Sequence, residues 1–516
     1  MQRPLALALV AGSLLVSFTA FAEPEVLEGE VPDDGLDHFR IPFDVPEGTK
    51  EIEIRHDDLS EKNILDWGLE DPAGFRGWGG GNVEPIVVNA EAASRSYLVG
   101  PIAPGTWNVV VGKAKIVETP ARYRIEVELR TETTLDPQKE RRPYEPVAAL
   151  KTGARWYAGD FHVHSRESGD AHPTLDELAT LAKERGLDFI ELSEHNTTSH
   201  LDYFGDVQSR HPEVLLVPGV EFTTYAGHAN GIGATRFVDH KIGQPGVTIE
   251  GAAKAFREQG ALFSLNHPSL ELGDLCIGCA WKHELSFDLV DAIEIGTGGW
   301  KQGGLLFTPM VLRTWEELSA KGHRIAAIGG SDDHEAGEGR SPIGAPTTMV
   351  FADELSVEAI LQGVRRGRTV VKLQGPDDPM IELEAGGELP GATVTGRRVP
   401  IRVIVQGGVG FGLRLVDSGE PFAPVEITSD PFVWETSLEP REGESFVRAE
   451  VMADEHPRTV TNHVFLRRGG GPDEVAAAED AGGCGCRVGA SSNAGSVALT
   501  SLLAMFGLVT WRRLRA

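Results

Sequence analysis

Histidine is concentrated in one stretch of this 516-residue chain, where twelve of the sixteen histidines lie between His162 and His334. Imidazoles mixed with carboxylates are the donors that zinc, manganese and iron take, whereas calcium prefers oxygen ligands alone. A tetrahedral zinc ion uses four ligands, so a larger set predicts two or three divalent transition-metal ions. The residues that carry this chemistry are His162, His164, Glu194, His195, Glu221, His228, His267, Glu294, Asp332 and His334.

Each of these groups follows an apolar run that predicts a β-strand. Between residues 155 and 375 such runs alternate with helical patterns, and the capping box of Thr174 and Glu177 predicts a helix that ends near Gly186. Helices are also predicted at 249–259 and 309–321. Alternation of this kind is typical of a parallel sheet, which we expect to close as a barrel. The seven predicted strands are Trp156–Val163, Leu187–Ser193, Val214–Val220, His228–Gly233, Ala261–Leu265, Val290–Ile295 and Arg324–Ile328.

A barrel would bring the predicted ligands together. The C-terminal ends of barrel strands converge at one mouth. Residues two apart on a strand face the same way, so His162 and His164 are placed to bind one ion. A single histidine at such a position is more often a hydrogen-bonding residue of the structure. Convergence of seven strand ends favours metal ligation instead.

Two regions that flank the barrel lack helical periodicity. Residues 23–133 alternate apolar and polar residues in short runs with Gly and Pro between them, which predicts a β-sandwich. A charged linker with prolines follows at residues 134–154. The alternation returns at 376–468 and predicts a second β-sandwich-like domain, followed by a flexible spacer at 469–483.

Both ends of the chain have the patterns of targeting segments. Residues 1–22 combine Arg3, an apolar middle and a small-x-small end, which predicts a signal peptide and export. Residues 495–511 are mostly apolar and precede three arginines, which predicts a transmembrane segment with its basic end inside. With Cys484 and Cys486 before it, the segment 484–516 resembles C-terminal sorting tails of the MYXO-CTERM type. That resemblance implies a sorting protease and display at the cell surface, and a plain membrane anchor is the alternative.

Charge and cysteine content exclude other classes of protein. The formal net charge is −29, and a field of that sign repels phosphate backbones, so nucleic acid is excluded as a generic partner. Four cysteines are too few for a disulfide scaffold. Cys276 and Cys279 are a disulfide candidate in an exported protein, with a zinc-binding pair as the alternative.

The order of the motifs in residues 155–375 resembles the PHP (polymerase and histidinol phosphatase) family, and in particular its exported branch of carbaryl-hydrolase-like metallohydrolases. The resemblance implies a distorted (β/α)7 barrel with up to three metal ions. The ligands that it implies are His162, His164 and Asp332 for a first ion, His228 and His267 for a second, Glu221 as the bridge between these two, and Asp170, His195 and His334 for a third.

Two positions depart from the family pattern. Glu194 stands where an aspartate usually precedes the histidine of the second motif. The acidic ligand of the first motif comes one residue late, which leaves His172 as a rival to Asp170. The role of Glu294 is open between an outer-sphere and a structural one.

The resemblance implies a metal-dependent hydrolase with phosphoesters as the leading substrate class. Two ions that share Glu221 would lower the pKa of a bridging water, and Asp332 is the candidate for accepting or returning a proton. Carbamates, amides or carboxyl esters are the alternative substrates, because the same centre could attack them. A non-catalytic, metal-loaded surface binding module is the alternative from another class. Because every implied ligand lies in residues 155–375, we expect that segment to keep its chemistry when excised.

Overall fold

The computed structural model describes residues 23–469, apart from 274–275 and 338–341, together with a short strand at 476–477. The predicted signal peptide, Cys484, Cys486 and the apolar tail lie outside the described residues. Within the described residues, no helix is long and apolar enough to cross a membrane.

Residues 25–130, the N-terminal β region, form two four-stranded antiparallel sheets with strand orders β1-β8-β3-β6 and β2-β7-β4-β5. Alternate side chains of both sheets enter one apolar core, in which Trp107 and Ile52 are fully buried. Alternation with a period of two produces such a core because successive side chains point to opposite faces. The strands are β1 (Glu25–Glu30), β2 (His38–Val45), β3 (Glu51–Asp57), β4 (Ile64–Asp71), β5 (Gly74–Gly80), β6 (Ile86–Asn89), β7 (Gly105–Lys115) and β8 (Arg122–Arg130).

All seven strands predicted in the middle of the chain are present in one large sheet, so the prediction of a mixed α/β fold is confirmed. Neighbouring strands are parallel except at β12, which pairs antiparallel with β11 and with β13. The prediction of a wholly parallel sheet was therefore wrong at this strand. Two residues separate β11 from β12, too few for a helical crossover. The strands are β9 (Lys151–Val163), β10 (Phe189–His195), β11 (Leu215–Thr224), β12 (Gly227–Ile232), β13 (Leu262–Leu265), β14 (Ala292–Thr297) and β15 (Ala326–Gly330).

The two ends of this seven-stranded series do not share a ladder. In the described part of the chain, β9 and the segment after β15 are joined by one parallel bridge, Val163 to Asp333. Instead, β9 pairs antiparallel with β16 (Thr347–Leu355), which pairs with β17 (Thr369–Lys372). The expected closure of the seven strands as a hydrogen-bonded barrel is therefore not found among the described residues, and β16 and β17 extend the sheet beyond β9 instead.

In the described part of the chain, five α-helices pack against strands of the large sheet. The capping box at Thr174 and Glu177 is present and begins α1. The fourth helix begins before Pro309, at Leu305, because the chain is already helical from Trp300. The predicted helices at 249–259 and 309–321 correspond to α3 and α4. The helices are α1 (Leu175–Glu184), α2 (Phe204–Arg210), α3 (Ile249–Glu258), α4 (Leu305–Ala320) and α5 (Val357–Arg365).

Residues 380–468, the C-terminal β region, continue the large sheet. One of its strands pairs with β17 through Val370 and Thr461, and a separate sheet of order β18-β20-β24 packs against the rest. The strands are β18 (Met380–Ala385), β19 (Thr393–Gly396), β20 (Val399–Gln406), β21 (Gly412–Asp417), β22 (Glu420–Pro421), β23 (Val425–Glu426), β24 (Phe432–Leu438), β25 (Glu444–Ala453), β26 (His456–Thr461), β27 (Val464–Arg468) and β28 (Ala476–Ala477).

Candidate metal centre

The first motif lies at the C-terminal end of β9. His162 and His164 are fully buried and point to the same side of the strand. Backbone hydrogen bonds fix this end against the segment after β15: the Asp332 N–H donates to the His162 carbonyl oxygen at 2.8 Å, and the His164 N–H donates to that of Asp333 at 3.0 Å. The two strands therefore bring their ligand candidates to the same place.

His162, His164 and Asp332 form the first ligand group. The Nε2 atoms of His162 and His164 lie 3.3 and 3.2 Å from Asp332 Oδ1. Glu221, in the C-terminal half of β11, adds Oε1 at 3.4 Å from His162 Nε2 and Oε2 at 3.6 Å from His164 Nε2. The Glu221 carboxylate therefore lies directly beside the first ligand group.

Glu221 also belongs to the second group. Its Oε1 lies 3.3 Å from His228 Nδ1 and 3.4 Å from His267 Nε2. The Asn266 side-chain amide donates to the same oxygen at 2.9 Å and so orients the carboxylate. The antiparallel strand β12 places His228 here, because the hairpin returns it to the end of β11 that carries Glu221.

Asp170, His195 and His334 form the third group, nearest to solvent. Asp170 Oδ2 lies 3.3 Å from His195 Nε2 and 3.5 Å from His334 Nε2. The His164 ring stacks on His334 with centroids 4.2 Å apart, which joins this group to the first. His172, the rival to Asp170, is exposed, and its backbone N–H donates to the His334 carbonyl oxygen at 3.2 Å.

The donor atoms fit metal ions. Groups of three donors that lie within 4.8 Å of one another include His162, His164 and Asp332; His162, Glu221 and His267; and His164, His195 and His334. Buried polar atoms ordinarily have hydrogen-bond partners, and each exception needs an explanation. In the described part of the chain, five buried atoms here lie close to other ligand atoms or to the protein interior but make no hydrogen bond of acceptable geometry: His162 Nε2, His164 Nε2, Glu221 Oε2, His228 Nε2 and His267 Nδ1.

The charges of the site are strongly coupled. Burial alone would raise the pKa of the Glu221 carboxyl, but the imidazoles of His162 and His195 hold it well below its usual range. The pKa of Asp332 is likewise held well below its usual range, against the effect of burial, by His162 and His164. Burial, with His334 and His195 nearby, lowers the pKa of His164 to about 3. Asp332 and Glu294 in turn raise the pKa of His162 well above its usual range, against the effect of burial. A metal ion binds the deprotonated imidazole, so metal binding would release a proton from His162.

Outer contacts direct several histidines so that Nε2 faces the cluster. Nδ1 of His162 lies 2.8 Å from Glu294 Oε1, and Nδ1 of His164 lies 2.8 Å from Ser168 Oγ. Glu294 also accepts a hydrogen bond from the His267 N–H at 2.8 Å. Such partners set the tautomer and orientation of a ligating histidine. Glu294 therefore has the outer-sphere position, one of the two roles that the sequence left open.

Glu194 does not reach the cluster. Its carboxylate accepts hydrogen bonds from the Ser165 N–H and, at 2.6 Å, from the Ser165 hydroxyl. Burial raises the pKa of Glu194 to about 8. This departure from the family pattern therefore fixes the loop after β9 rather than adding a ligand.

Three turns around the site have left-handed backbone at residues other than glycine. Asn196, His267 and Asp332 have φ values of 51°, 29° and 56°. Such conformations cost on the order of 1–3 kcal/mol each and persist where the surroundings impose them. Two of the three residues belong to the ligand set.

Sequence reasoning missed a contribution from the N-terminal β region. The Tyr225 hydroxyl, in the hairpin turn between Glu221 and His228, donates to Asp66 Oδ2 at 2.7 Å. Glu167 Oε2, in the loop that leads to Asp170, accepts from the Ser96 N–H at 3.0 Å. No local motif marks Asp66 or Ser96, because their partners are at least seventy residues away in the chain.

The structure pairs Cys276 with Cys279 in a disulfide, with Cα atoms 5.6 Å apart. This is the pairing that an exported setting favoured over a zinc pair. Cys279 is 2% exposed, and its sulfur also lies near the second ligand group.

Comparisons with known proteins give only distant similarity. No family model matches the chain, and no curated protein matches it. A solved structure from Bacteroides vulgatus, a two-domain protein containing a predicted PHP-like metal-dependent phosphoesterase, is 20% identical over 63% of this chain and 99% of its own, with a TM-score of 0.36. A candidate metal-dependent phosphoesterase from Bifidobacterium adolescentis is 14% identical over 42% of this chain and 98% of its own, with a TM-score of 0.26. Both scores are low, so the ligand geometry has to carry the functional conclusion.

Proposed function

We propose that this chain is a metal-dependent hydrolase of phosphoesters, built on a PHP-type domain with two or three divalent transition-metal ions. The observation that carries the proposal is the convergence of nine side chains into three adjoining ligand groups with unpartnered, buried donor atoms. A purely binding module does not need several ion positions that share one carboxylate and remain open to solvent on one side.

Charge favours a phosphoester over a neutral substrate. Three divalent ions would carry twice the charge of the three carboxylates in the ligand groups, Asp170, Glu221 and Asp332. The surplus of positive charge would attract an anionic phosphoryl group and stabilise the charge that develops on its oxygens. Carbamates and carboxyl esters lack that ground-state charge, so we place them second.

The ions, when bound, would act as Lewis acids and would lower the pKa of a water molecule that they bind. The protein itself fixes the positions of the ligand side chains. Glu221 is buried and is oriented by the Asn266 amide, so it holds a fixed place between the first and second groups. His195 Nδ1 lies 2.7 Å from Glu221 Oε2 and from Thr223 Oγ1, which links the third group to the same carboxylate.

Asp332 is the proposed proton carrier. Its side chain is 27% exposed, and it lies between the buried histidines of the first group and the solvent side of the site. Because His162 and His164 hold the pKa of Asp332 well below its usual range, it would return a proton quickly rather than retain it. The contact between Glu294 and His162 Nδ1 would hold the His162 ring in place.

The enzyme is proposed to act outside the cytoplasm. Residues 1–22 have the pattern of a signal peptide, and residues 484–516 that of a sorting tail with a membrane-spanning part. Export as a member of the carbaryl-hydrolase-like branch, and surface display after cleavage of the tail, are parts of this proposal. Mass spectrometry of the mature termini tests both, and an intact terminus at Ala516 would leave only the plain membrane anchor.

The activity is tested on the purified full chain by elemental analysis together with a panel of phosphomonoesters, phosphodiesters, carboxyl esters and carbamates. Glu221→Gln should lower phosphoesterase activity by at least about 10²- to 10³-fold, the range seen when one stabilising group is removed, and should lower metal content. Glu317→Gln, an exposed position on α4, is the control and should change neither. Full activity in Glu221→Gln, or hydrolysis with at most one ion per chain, would contradict the proposal.

A further inference from the structure

The second ligand group has a neighbour that the proposed function does not use. The sulfur of Cys279 and one ring nitrogen each of His228 and His267 all lie within 4.8 Å of one another. All three residues are buried, with exposed fractions of 2%, 4% and 1%. These distances are of the order expected for neighbouring ligands of one ion, given Zn–S and Zn–N bonds of about 2.3 and 2.1 Å.

Both histidines have a nitrogen to spare. His228 Nδ1 and His267 Nε2 face Glu221, while His228 Nε2 and His267 Nδ1 have no hydrogen-bond partner in the described part of the chain. An unpartnered nitrogen on a residue that is more than nine-tenths buried is costly unless a ligand occupies the position that it faces. The two imidazoles are therefore suited to an ion that a third donor completes.

The backbone, rather than the disulfide, holds Cys279 in place. Gly278 has a φ of 82°, and a Cβ atom there would lie 2.3 Å from the Thr224 carbonyl oxygen, so the loop sits directly on the hairpin turn. The Lys282 N–H donates to the Ala226 carbonyl oxygen at 2.7 Å, and the Trp281 N–H donates to that of Pro268 at 2.9 Å. These bonds connect the loop to the segments that carry His228 and His267, so the sulfur should stay near them when the disulfide opens.

We propose that Cys279 is a latent ligand of an ion at the second ligand group, withheld by its disulfide with Cys276 and delivered as a thiolate when that bond is reduced. The inference rests on the proposed function, because it needs an ion that His228 and His267 hold. Oxidised, the position offers two nitrogens. Reduced, it offers a sulfur as well, which shifts its preference towards zinc, iron or cobalt and away from manganese or magnesium.

A dithiol supplies the electrons. A cavity of about 200 Å³ adjoins both cysteines, and Cys276 is the more exposed of the two. A thiolate of the dithiol attacks Cys276 Sγ, the bond between the two cysteine sulfurs breaks, and its electron pair leaves on Cys279 Sγ. The second thiol of the reagent resolves the mixed disulfide. The reagent gives up two protons and becomes a disulfide; Cys276 takes one proton and solvent takes the other, because Cys279 stays a thiolate on the ion.

Cobalt(II) reports on the proposal directly, because a thiolate bound to cobalt gives a near-ultraviolet charge-transfer band that nitrogen and oxygen ligands do not. The probe is cobalt alone, added to metal-free full-length protein. All variants also carry C484S and C486S, since these two cysteines lie outside the described residues. C276S leaves Cys279 as a permanent thiol without any reductant, and C279S leaves Cys276 instead, so the two variants are a matched pair. A dithiol-reduced protein, freed of reagent without air, gives the same comparison with no change at either cysteine.

The band should appear in C276S and in the reduced protein, with an intensity of one thiolate per chain, and should be absent from the oxidised protein and from C279S. Cobalt should also resist a competing chelator at least about tenfold better in C276S than in C279S, since even an outer partner of a ligand is worth that much. Cobalt bound in all forms without a band in either C276S or the reduced protein would overturn the latent ligand and leave the hydrolase intact. Failure of every form to bind cobalt would overturn the proposed function and this inference with it.

Discussion

The two β regions are attached to the large sheet in different ways. The C-terminal β region joins through main-chain pairing of β17 with β26 and through apolar packing, in which the His463 ring stacks on Trp315 with centroids 3.7 Å apart. The N-terminal β region joins through side chains and loops near the ligand groups, including the contacts of Asp66 with Tyr225 and of Ser96 with Glu167. One attachment extends the sheet, and the other covers the loops that carry ligands.

Because of this difference, we expect the C-terminal β region to contribute to stability and the N-terminal β region to position ligand residues. In the described part of the chain, no hydrogen bond, ion pair or ring contact joins the C-terminal β region to a ligand residue, so its removal should lower stability first. The N-terminal β region contacts the loop between β9 and α1, where the Arg95 side chain donates to the Ala171 carbonyl oxygen at 3.1 Å. Asp170 is the neighbouring residue, so loss of that region should disturb the third ligand group. The structure thus gives reason to expect that an excised 155–375 segment would not keep its full chemistry.

The largest effect is expected at the C-terminal junction. Trp315 is fully buried and its indole N–H donates to the Ile325 carbonyl oxygen at 2.8 Å. Trp315→Ala should lower the free energy of unfolding by about 3–5 kcal/mol, the usual cost of removing a large buried aromatic side chain. A denaturant titration measures this loss. Elemental analysis of the folded protein should show an unchanged metal content per chain. Loss of ions from folded Trp315→Ala protein would break the comparison.

A matched pair of glutamates separates the two junctions at intermediate effect. Glu167 Oε2 accepts from the Ser96 N–H and, at 2.7 Å, from the Ser199 hydroxyl, while Glu316 pairs with buried Arg448 at 2.5 Å. Each Glu→Gln change should cost about 1–3 kcal/mol of stability, since a buried partner loses its charged acceptor. Only Glu167→Gln should also lower metal occupancy, by loosening the loop before Asp170. Equal metal content in both variants would show that the N-terminal junction does not position the site.

The smallest effect concerns the pH dependence of the N-terminal junction. Burial raises the pKa of Asp66 to about 6, above the usual range of an aspartate. A carboxyl whose pKa is raised on folding contributes stability that is present at low pH and is lost as the pH rises towards the folded pKa. The melting temperature of Asp66→Asn minus that of the unchanged protein should therefore be higher at about pH 7.5 than at about pH 4.5.

Asp136→Asn, in the exposed linker, is the control for this change and should show the same difference from the unchanged protein at both pH values. If the difference for Asp66→Asn were also independent of pH, the surroundings of Asp66 would not disfavour its ionised form.

The sequence predicted the parts of the molecule that depend on local order. The sequence placed His162, Glu221 and Asp332 near the C-terminal ends of predicted strands. Because such ends meet at one edge of a sheet, their proximity could be predicted. The capping box at Thr174 likewise depends on residues three apart. These predictions needed no knowledge of which distant segments meet.

What the sequence could not predict depends on contacts between distant segments. The antiparallel direction of β12 had one local signal, the shortness of the turn at Tyr225. The outer-sphere role of Glu294 required knowing that His162 lies opposite it. The pairing of Asp66 with Tyr225 spans two regions with separate cores, and no periodic pattern records such a meeting.

The single bridge between Val163 and Asp333 has a consequence for the order of folding. It joins residues that are about 170 positions apart, and the buried Asp160 carboxylate beside it accepts hydrogen bonds from the Ser331 and Gly344 N–H groups. Contacts of such long range form slowly, because the intervening chain must be ordered first. The N-terminal β region can fold on its own core before residues 332–334 are in place, whereas the first and third ligand groups cannot assemble until then. Metal uptake should therefore be a late event in the maturation of this protein, after the last ligand strand has joined the sheet.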